Sequence, residues 1–317
     1  MLSRVADNLY WIARYIERAE TTARLLEVGA RNALMPNIGG GYRNEWESIL
    51  RASGTAEGFA EKYGDMVQRN VESYLFFDRE NPSSIAFCIE RARENGRIVR
   101  TALTTQVWDA LNTAFQEVQD MQRTERSHLP LSTLTDWTTR TTALIRGAML
   151  ATQLRNDGYD FINLGHYLER ADNTARLLDV KYYVLLPQVE MVGSGLDNYQ
   201  WTTLLRAMSA YRAFSWAYGG EVTPHKIAHF FILNHQSPRA LISSVDGAAT
   251  HLDRLARGYG KSSEPQTKVR GLVAELAEVR MDDIFEEGLH EFLGRMIHGF
   301  SDLSNAIHSA YLAGEMK

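Results

Sequence analysis

One charged helical segment occurs twice in this chain, and that repetition limits what the chain can fold into. YIERAETTARLLEV runs from Tyr15 to Val28, and YLERADNTARLLDV runs from Tyr167 to Val180, 152 residues later. Ten of the 14 positions are identical, and three more are Ile/Leu or Glu/Asp exchanges. Other matches follow in the same order: MPNI at 35–38 with LPQV at 186–189, WESILRA at 46–52 with WTTLLRA at 201–207, and NPSSI at 81–85 with SPRAL at 237–241. GGGY at 39–42 and GSG at 193–195 fall in corresponding loops. The order of the matches implies an internal duplication, with halves at 1–155 and 156–317 sharing one continuous core. Two copies are too few for a solenoid, so the expected arrangement is two halves related by a pseudo-two-fold axis. Beyond residues 100 and 256 the halves no longer align.

The period of the repeated segment is helical. Leu9, Ile12, Ile16, Ala19, Ala23 and Leu26 follow a 3-4-3-4-3 spacing, and Phe161, Leu164, Leu168, Ala171, Ala175 and Leu178 repeat it. Each helix therefore buries one apolar face, and its paired alanines let a neighbour come close. Further helical patterns cover 43–62, 66–78, 83–105, 106–124, 131–155, 197–217, 224–234, 238–257, 266–280 and 282–313, with KSSEPQ at 261–266 as a polar linker. Pro82, Pro130 and Pro238 fit first helical turns. No segment alternates as a strand does, so the fold class is all-α: a helical bundle of two related halves. Trp11, Trp46, Trp201 and Trp216 share the helical periodicity and are expected in the core.

Composition closes off several function classes. With 44% hydrophobic and 23% charged residues the 317-residue chain is globular and large enough for a substantial core. Cys88 is the single cysteine, so neither an internal disulfide nor a Cys-based zinc site is available. A net charge of −5 gives no general attraction to nucleic acid or anionic membrane. No run approaches the roughly 20 apolar residues of a membrane span. Arg4, Asp7 and Arg14 interrupt the N-terminal stretch, so it does not read as a signal peptide, and a cytoplasmic location is expected.

The candidate site is the charged flank of the repeat. Glu17, Glu20 and Arg24 in the first copy correspond to Glu169, Asp172 and Arg176 in the second, and His166 stands where the first copy has Arg14. Glu20–Arg24 and Asp172–Arg176 are i,i+4 pairs, whereas Glu17 and Glu169 have no arginine at i+4 on their own helix. The pattern allows two readings. In one, the charges are partly buried clamps that fix how the helices cross. In the other, they line a central polar pocket near the axis, with Glu17 and Glu169 as candidate catalytic carboxylates and Glu20, Arg24, Asp172, Arg176, Arg14 and His166 as binding groups. A di-iron site needs two Glu-x-x-His motifs, and only Glu287–His290 is present, so no metal is expected. Walker, dinucleotide-binding and nucleophile-elbow motifs are missing.

The N-terminal MLSRVADNLYWIARYIERAETTARLLEV, the second YLERADNTARLLDVKYY and SPRAL at 237–241 together resemble the bacterial Alpha-E family, an all-helical group, over essentially the whole chain. A looser third copy, IERARENGR at 89–97, corresponds to Val-Asp-Gly at 245–247, where the glutamate has become Asp246. The resemblance implies context rather than a reaction. Alpha-E proteins are typically encoded beside a circularly permuted ATP-grasp protein, and often a transglutaminase-like protease. ATP-grasp enzymes join a carboxylate to an amine through an acyl phosphate. The resemblance therefore implies an accessory or substrate-presenting partner of an amide or peptide ligase, acting on a peptide or amino acid. ATP and Mg would be bound by the ligase and no cofactor by this chain. An enzyme in its own right, metal-assisted or not, and a purely structural scaffold stand as alternatives.

Overall fold

The two copies of the motif lie on long helices that pack against each other at the centre, α1 (Ser3–Ala33) and α8 (Asp157–Tyr183). The structure, a computed structural model, describes residues 1–34, 45–183 and 195–313. MPNI, LPQV and GGGY, with the first two residues of GSG, lie outside the described residues. Those described form helices and their connections, with no strand among them.

Each central helix has the same kind of neighbourhood. Helix α1 packs on α5 (Ile85–Ile98) and α7 (Leu131–Thr152), which are bridged by α6 (Thr105–Arg123). Helix α8 packs on α12 (Leu241–Tyr259) and α15 (Leu289–Ile307), which are bridged by α13 (Glu264–Glu278). The short α2 (Glu45–Ala52) and α9 (Gly195–Ala207) each touch both central helices. Enclosure on all sides changes the expected one-faced burial: every residue from Ala19 to Leu26 is buried, charged ones included. A helix covered all round must bring its polar groups inside with it, and they then need partners there.

Three expected long helices are broken, each at a residue with left-handed backbone. The pattern at 43–62 divides at Gly54 (φ +68°), that at 197–217 at Ser209 (φ +55°), and that at 282–313 at Gly288 (φ +107°). The first two breaks share a hydrogen-bond pattern. Ser53, Gly54 and Thr55 donate to Ile49, Arg51 and Leu50, just as Met208, Ser209 and Ala210 donate to Leu204, Arg206 and Leu205. Such bonds satisfy carbonyls left over at a helix end. The polar stretch at 261–266 is also different from expectation: Ser263 and Gln266 form a capping box, so α13 begins at Glu264. Pro82 and Pro238 lie in the turns before α5 and α12 rather than in their first turns, and Pro130 is the N-cap of α7. Trp46 and Trp201 are core residues, but Trp216 is 95% exposed, because the short helix carrying it, Tyr211–Tyr218, lies at the surface and buries only Phe214.

Helices α1 and α8 approach closely at Gly165. A Cβ there would fall on the carbonyl oxygen of Tyr10 and 3.1 Å from its carbonyl carbon. Backbone cannot rotate out of the way, so Gly165→Ala should destabilise the protein by about 1–3 kcal/mol. Gly147 in α7 has nothing within 4 Å of the same position. Gly147→Ala should therefore stabilise by about 0.5–1 kcal/mol through its helix propensity. Urea unfolding of the two variants checks both signs, and equal effects would contradict the close crossing.

Candidate functional site

The glutamate and arginine of each motif bind their opposite numbers on the other helix. Arg170 donates to Glu17 through two bonds, Nε to Oε1 at 2.9 Å and Nη2 to Oε2 at 3.1 Å. Arg18 donates to Glu169 the same way, Nε to Oε1 at 2.6 Å and Nη2 to Oε2 at 3.2 Å. A second donor joins each glutamate from the matching position one turn back: Arg14 Nε lies 2.5 Å from Glu169 Oε2, and His166 Nδ1 lies 3.2 Å from Glu17 Oε2. The pairing numbers rise together along the two helices (Tyr10 with Gly165, Glu17 with Arg170), so α1 and α8 run in the same direction. A shared direction puts equivalent motif positions level with each other, which permits the crossed pairing.

Both carboxylates are buried, Glu17 at 0% and Glu169 at 1% exposure. Burial alone would push their pKa values up, but the guanidiniums outweigh it. Arg18 and Arg14 bring Glu169 down to about 2, and Arg170 and Arg146 hold Glu17 well below the usual carboxylate range. Burial, followed by the charge of Arg170, pushes His166 down to about 4, so it is neutral at pH 7. A neutral imidazole that donates from Nδ1 to Glu17 keeps Nε2 as an acceptor.

Outside the crossed pairs the two halves of the site differ. Among the described residues Asp172 pairs with Arg176 alone, at 2.7 Å. Glu20 has Arg24 at 2.6 Å, and in addition Arg239 and Arg146. These last two also reach Glu17, each at 3.3 Å. Neither was singled out from sequence. Arg239 replaces Ser83 of the first NPSSI/SPRAL copy, which is a visible signal, whereas Arg146 lies on α7, where the halves do not align. Around Glu17 and Glu20 four guanidiniums, of Arg24, Arg146, Arg170 and Arg239, therefore face two carboxylates. Burial pushes Arg170 and Arg239 below the ordinary arginine value, and neighbouring arginines push the same way.

A cavity of about 280 Å³ opens beside this cationic cluster. Arg146, His166, Arg170 and Asn163 supply its polar wall, and Ile16, Met149 and Ile162 are among its apolar residues. Arg146 Nε is buried without a hydrogen-bond partner among the described residues. A second cavity of about 210 Å³, further along the α1–α8 seam, is lined by Arg18, Glu169, Asp172 and Arg176 with small polar residues. The candidate residues are thus distributed rather than gathered: His166 lines the first cavity, Glu169, Asp172 and Arg176 the second, and Glu17, Glu20, Arg14 and Arg24 line neither. Arg24 instead reaches the end of α9, donating to the Ala207 carbonyl and, at 3.2 Å, to Ser209 Oγ. Glu287 and His290 turn to different partners, Arg295 and Asp179. Among the described residues no three His, Cys, Asp or Glu side chains are grouped so as to hold a metal ion. Cys88 is buried, and burial pushes its thiol up to about 12, which leaves it unreactive at neutral pH.

Comparison with protein families matches residues 1–312 to Alpha-E, described as a predicted alpha-helical domain with a conserved ER motif. The chain belongs to the Alpha-E family. Glu17–Arg18 and Glu169–Arg170 are both Glu-Arg dipeptides of this kind, and their crossed pairing gives the motif a physical role: each dipeptide supplies one anion and one cation to the other helix. No curated protein and no solved structure matches the chain. No described helix is long and apolar enough to cross a membrane.

The site makes stability fall with pH in two stages. Below pH 6.5 the unfolded chain protonates His166, whereas the folded chain does not until about pH 4, so stability is lost across that window. Glu169 and Glu20, both lowered to about 2, contribute stability that is present above pH 4.5 and lost as pH falls towards 2. His166→Gln keeps a donor for Glu17 and removes the histidine titration. The loss of unfolding free energy between pH 6.5 and 4 should shrink by about 3 kcal/mol. Denaturant titrations at several pH values measure it, and an unchanged slope would show that His166 is not held neutral.

Proposed function

We propose that this Alpha-E protein binds and presents a small carboxylate-bearing molecule, an amino acid or short peptide, to a circularly permuted ATP-grasp amide ligase. The observation that carries the binding half of this reading is the excess of guanidinium beside the first cavity. Four arginines surround two carboxylates there, and Arg146 and Arg170 reach the cavity wall. A site with cationic surplus and an unpartnered guanidinium N–H favours an anion, and arginine favours a carboxylate bound through two oxygens. The adjacent Ile16, Met149 and Ile162 suit an apolar side chain on the same ligand. The ligase half rests on the family resemblance; ATP and Mg belong to that partner, and a transglutaminase-like protease fits the same peptide chemistry.

Glu17 and Glu169 suit a catalytic role less well. Each is already bound by at least two cations and held ionised, so neither is poised near pH 7 to exchange a proton. Their part in this reading is to set the helix crossing that brings His166 and Arg170 to the cavity. We read the two halves, 1–155 and 156–317, as copies related by a pseudo-two-fold axis. Crossed Glu-Arg pairs, like neighbourhoods of α1 and α8, and matching turns at Gly54 and Ser209 support that reading.

Calorimetric titration with apolar amino acids and dipeptides, compared with their C-terminal amides, tests the binding. The free acids should bind about 10- to 100-fold more tightly than the amides, the loss expected for a charge-assisted hydrogen-bond pair. Ser243→Phe, at the wall of the first cavity, should abolish binding without unfolding the chain. ATP consumption by the reconstituted ligase should then depend on wild-type protein. Equal affinity for acid and amide, or ligase activity indifferent to this chain, would overturn the proposal.

A further inference from the structure

The second cavity has a different chemistry, and what it would bind does not depend on the reading of the first. Its charged walls are two ion pairs, Arg18 with Glu169 and Arg176 with Asp172. Each carboxylate oxygen in the wall already accepts from a guanidinium. Glu169 Oε1 takes Arg18 Nε and its Oε2 takes Arg14 Nε, while both oxygens of Asp172 take Arg176. Unused groups remain on the donor side. Arg18 engages Glu169 through Nε and Nη2, and Arg176 engages Asp172 through the same two atoms, which leaves Nη1 of each outside these pairs. The Asn173 amide nitrogen and the Thr21 hydroxyl are buried with no hydrogen-bond partner among the described residues, and both residues line the cavity. Thr21 and Asn173 are 3% and 5% exposed, and they occupy the same position in the two motif copies.

Unsatisfied buried donors are costly, and two from separate helices, on residues that line one cavity, require a common explanation. Water offers both donor and acceptor capacity, whereas four converging donors that include two cations select a group rich in acceptors. In the cavity wall Arg18 and Arg176 balance Glu169 and Asp172, and Arg14, outside the lining, adds a second guanidinium to Glu169. Donors that come from α1 on one side and α8 on the other suit a tetrahedral oxyanion better than a planar carboxylate. The space of about 210 Å³ is that of roughly seven waters, enough for a phosphoryl group and part of its hydration shell.

We infer that the cavity between Arg18, Thr21, Asn173 and Arg176 is a binding site for a phosphoryl oxyanion, either free inorganic phosphate or the terminal group of a small phosphate monoester.

The experiment uses the full chain, titrated with inorganic phosphate, ethyl phosphate and acetate at constant ionic strength, and read by calorimetry and by phosphorus NMR for the first two. Saturable one-to-one binding of phosphate, with acetate at least about tenfold weaker, is the expected result. Ethyl phosphate binding as tightly as phosphate assigns the site to a monoester, and phosphate alone binding assigns it to the free ion. Thr21→Val and Asn173→Leu remove one donor each and leave every charge of the crossed pairs in place. Each should weaken phosphate binding by about tenfold or more. Melting temperature should hold or rise in both, since each variant removes a buried unsatisfied donor. No saturation below about 10 mM phosphate, acetate binding as tightly as phosphate, or unchanged affinity in both folded variants would overturn the assignment.

Discussion

Glu17 bound to Arg170 and Glu169 bound to Arg18 put three full charges where water barely reaches and a fourth, Arg18, at the edge with 22% of its side chain exposed. Taking such ions out of water costs several kcal/mol each, and only good geometry with further hydrogen bonds compensates. Here the compensation comes from two-bond guanidinium–carboxylate contacts, with Arg14 and His166 added from one turn away. Every partner in the crossed pairs lies on the other central helix. The second half standing alone would therefore hold Glu169 unpaired beside an unpaired Arg170, and the first would leave Arg18 unpaired and Glu17 with Arg146 alone. The crossed pairs tie α1 to α8 and make one core of what the sequence presents as two modules. They also explain why α1 and α8 run in the same direction and touch at Gly165, since only that placement sets the two dipeptides level.

Departures from the crossed pattern are where binding chemistry arises. Had Arg239 remained a serine like Ser83, and had α7 not supplied Arg146, Glu17 and Glu20 would be balanced by Arg170 and Arg24. With them, the region carries a surplus of positive charge beside an open cavity. Along the seam, the place of Glu20 is taken by Asp172, which has a single arginine, and there two polar side chains are left without partners. One clasp thus supports two unlike surroundings: one cationic with an apolar wall, the other small and donor-rich.

Much of the frame was legible in sequence because helical period and repetition are local properties. The apolar stripe of each motif helix, the all-helical class and the candidacy of Glu17 and Glu169 all follow from it, whereas Arg18 and Arg170, which bind them, were not among the candidates. Pair assignments did not follow. Only i,i+4 partners can be read along one helix, so Glu17 and Glu169, which have none, looked available for chemistry, whereas their partners come from 153 and 151 residues away. Arg239 was readable as a difference between the two copies, but its meaning depends on the turn before α12 reaching Glu20. Arg146 carried no signal, because α7 lies beyond the aligned region. Ser209 hid a helix end, since a left-handed serine looks like any helical residue until the turn at Gly54 is set beside it.

The central claim, that the crossed pairs hold the two halves together, is tested most directly by a double-mutant cycle on Arg18 and Glu169. Unfolding free energies of Arg18→Met, Glu169→Gln and the double variant isolate the coupling between residues on different helices. Arg18→Met leaves Glu169 with Arg14 alone, and Glu169→Gln leaves two guanidiniums without their anion, so each single change should be strongly destabilising, by about 2–4 kcal/mol. The double variant should cost less than their sum, with a coupling of about 2 kcal/mol. Additive effects, with a coupling near zero, would mean that the Glu-Arg motif is not the tie between the halves.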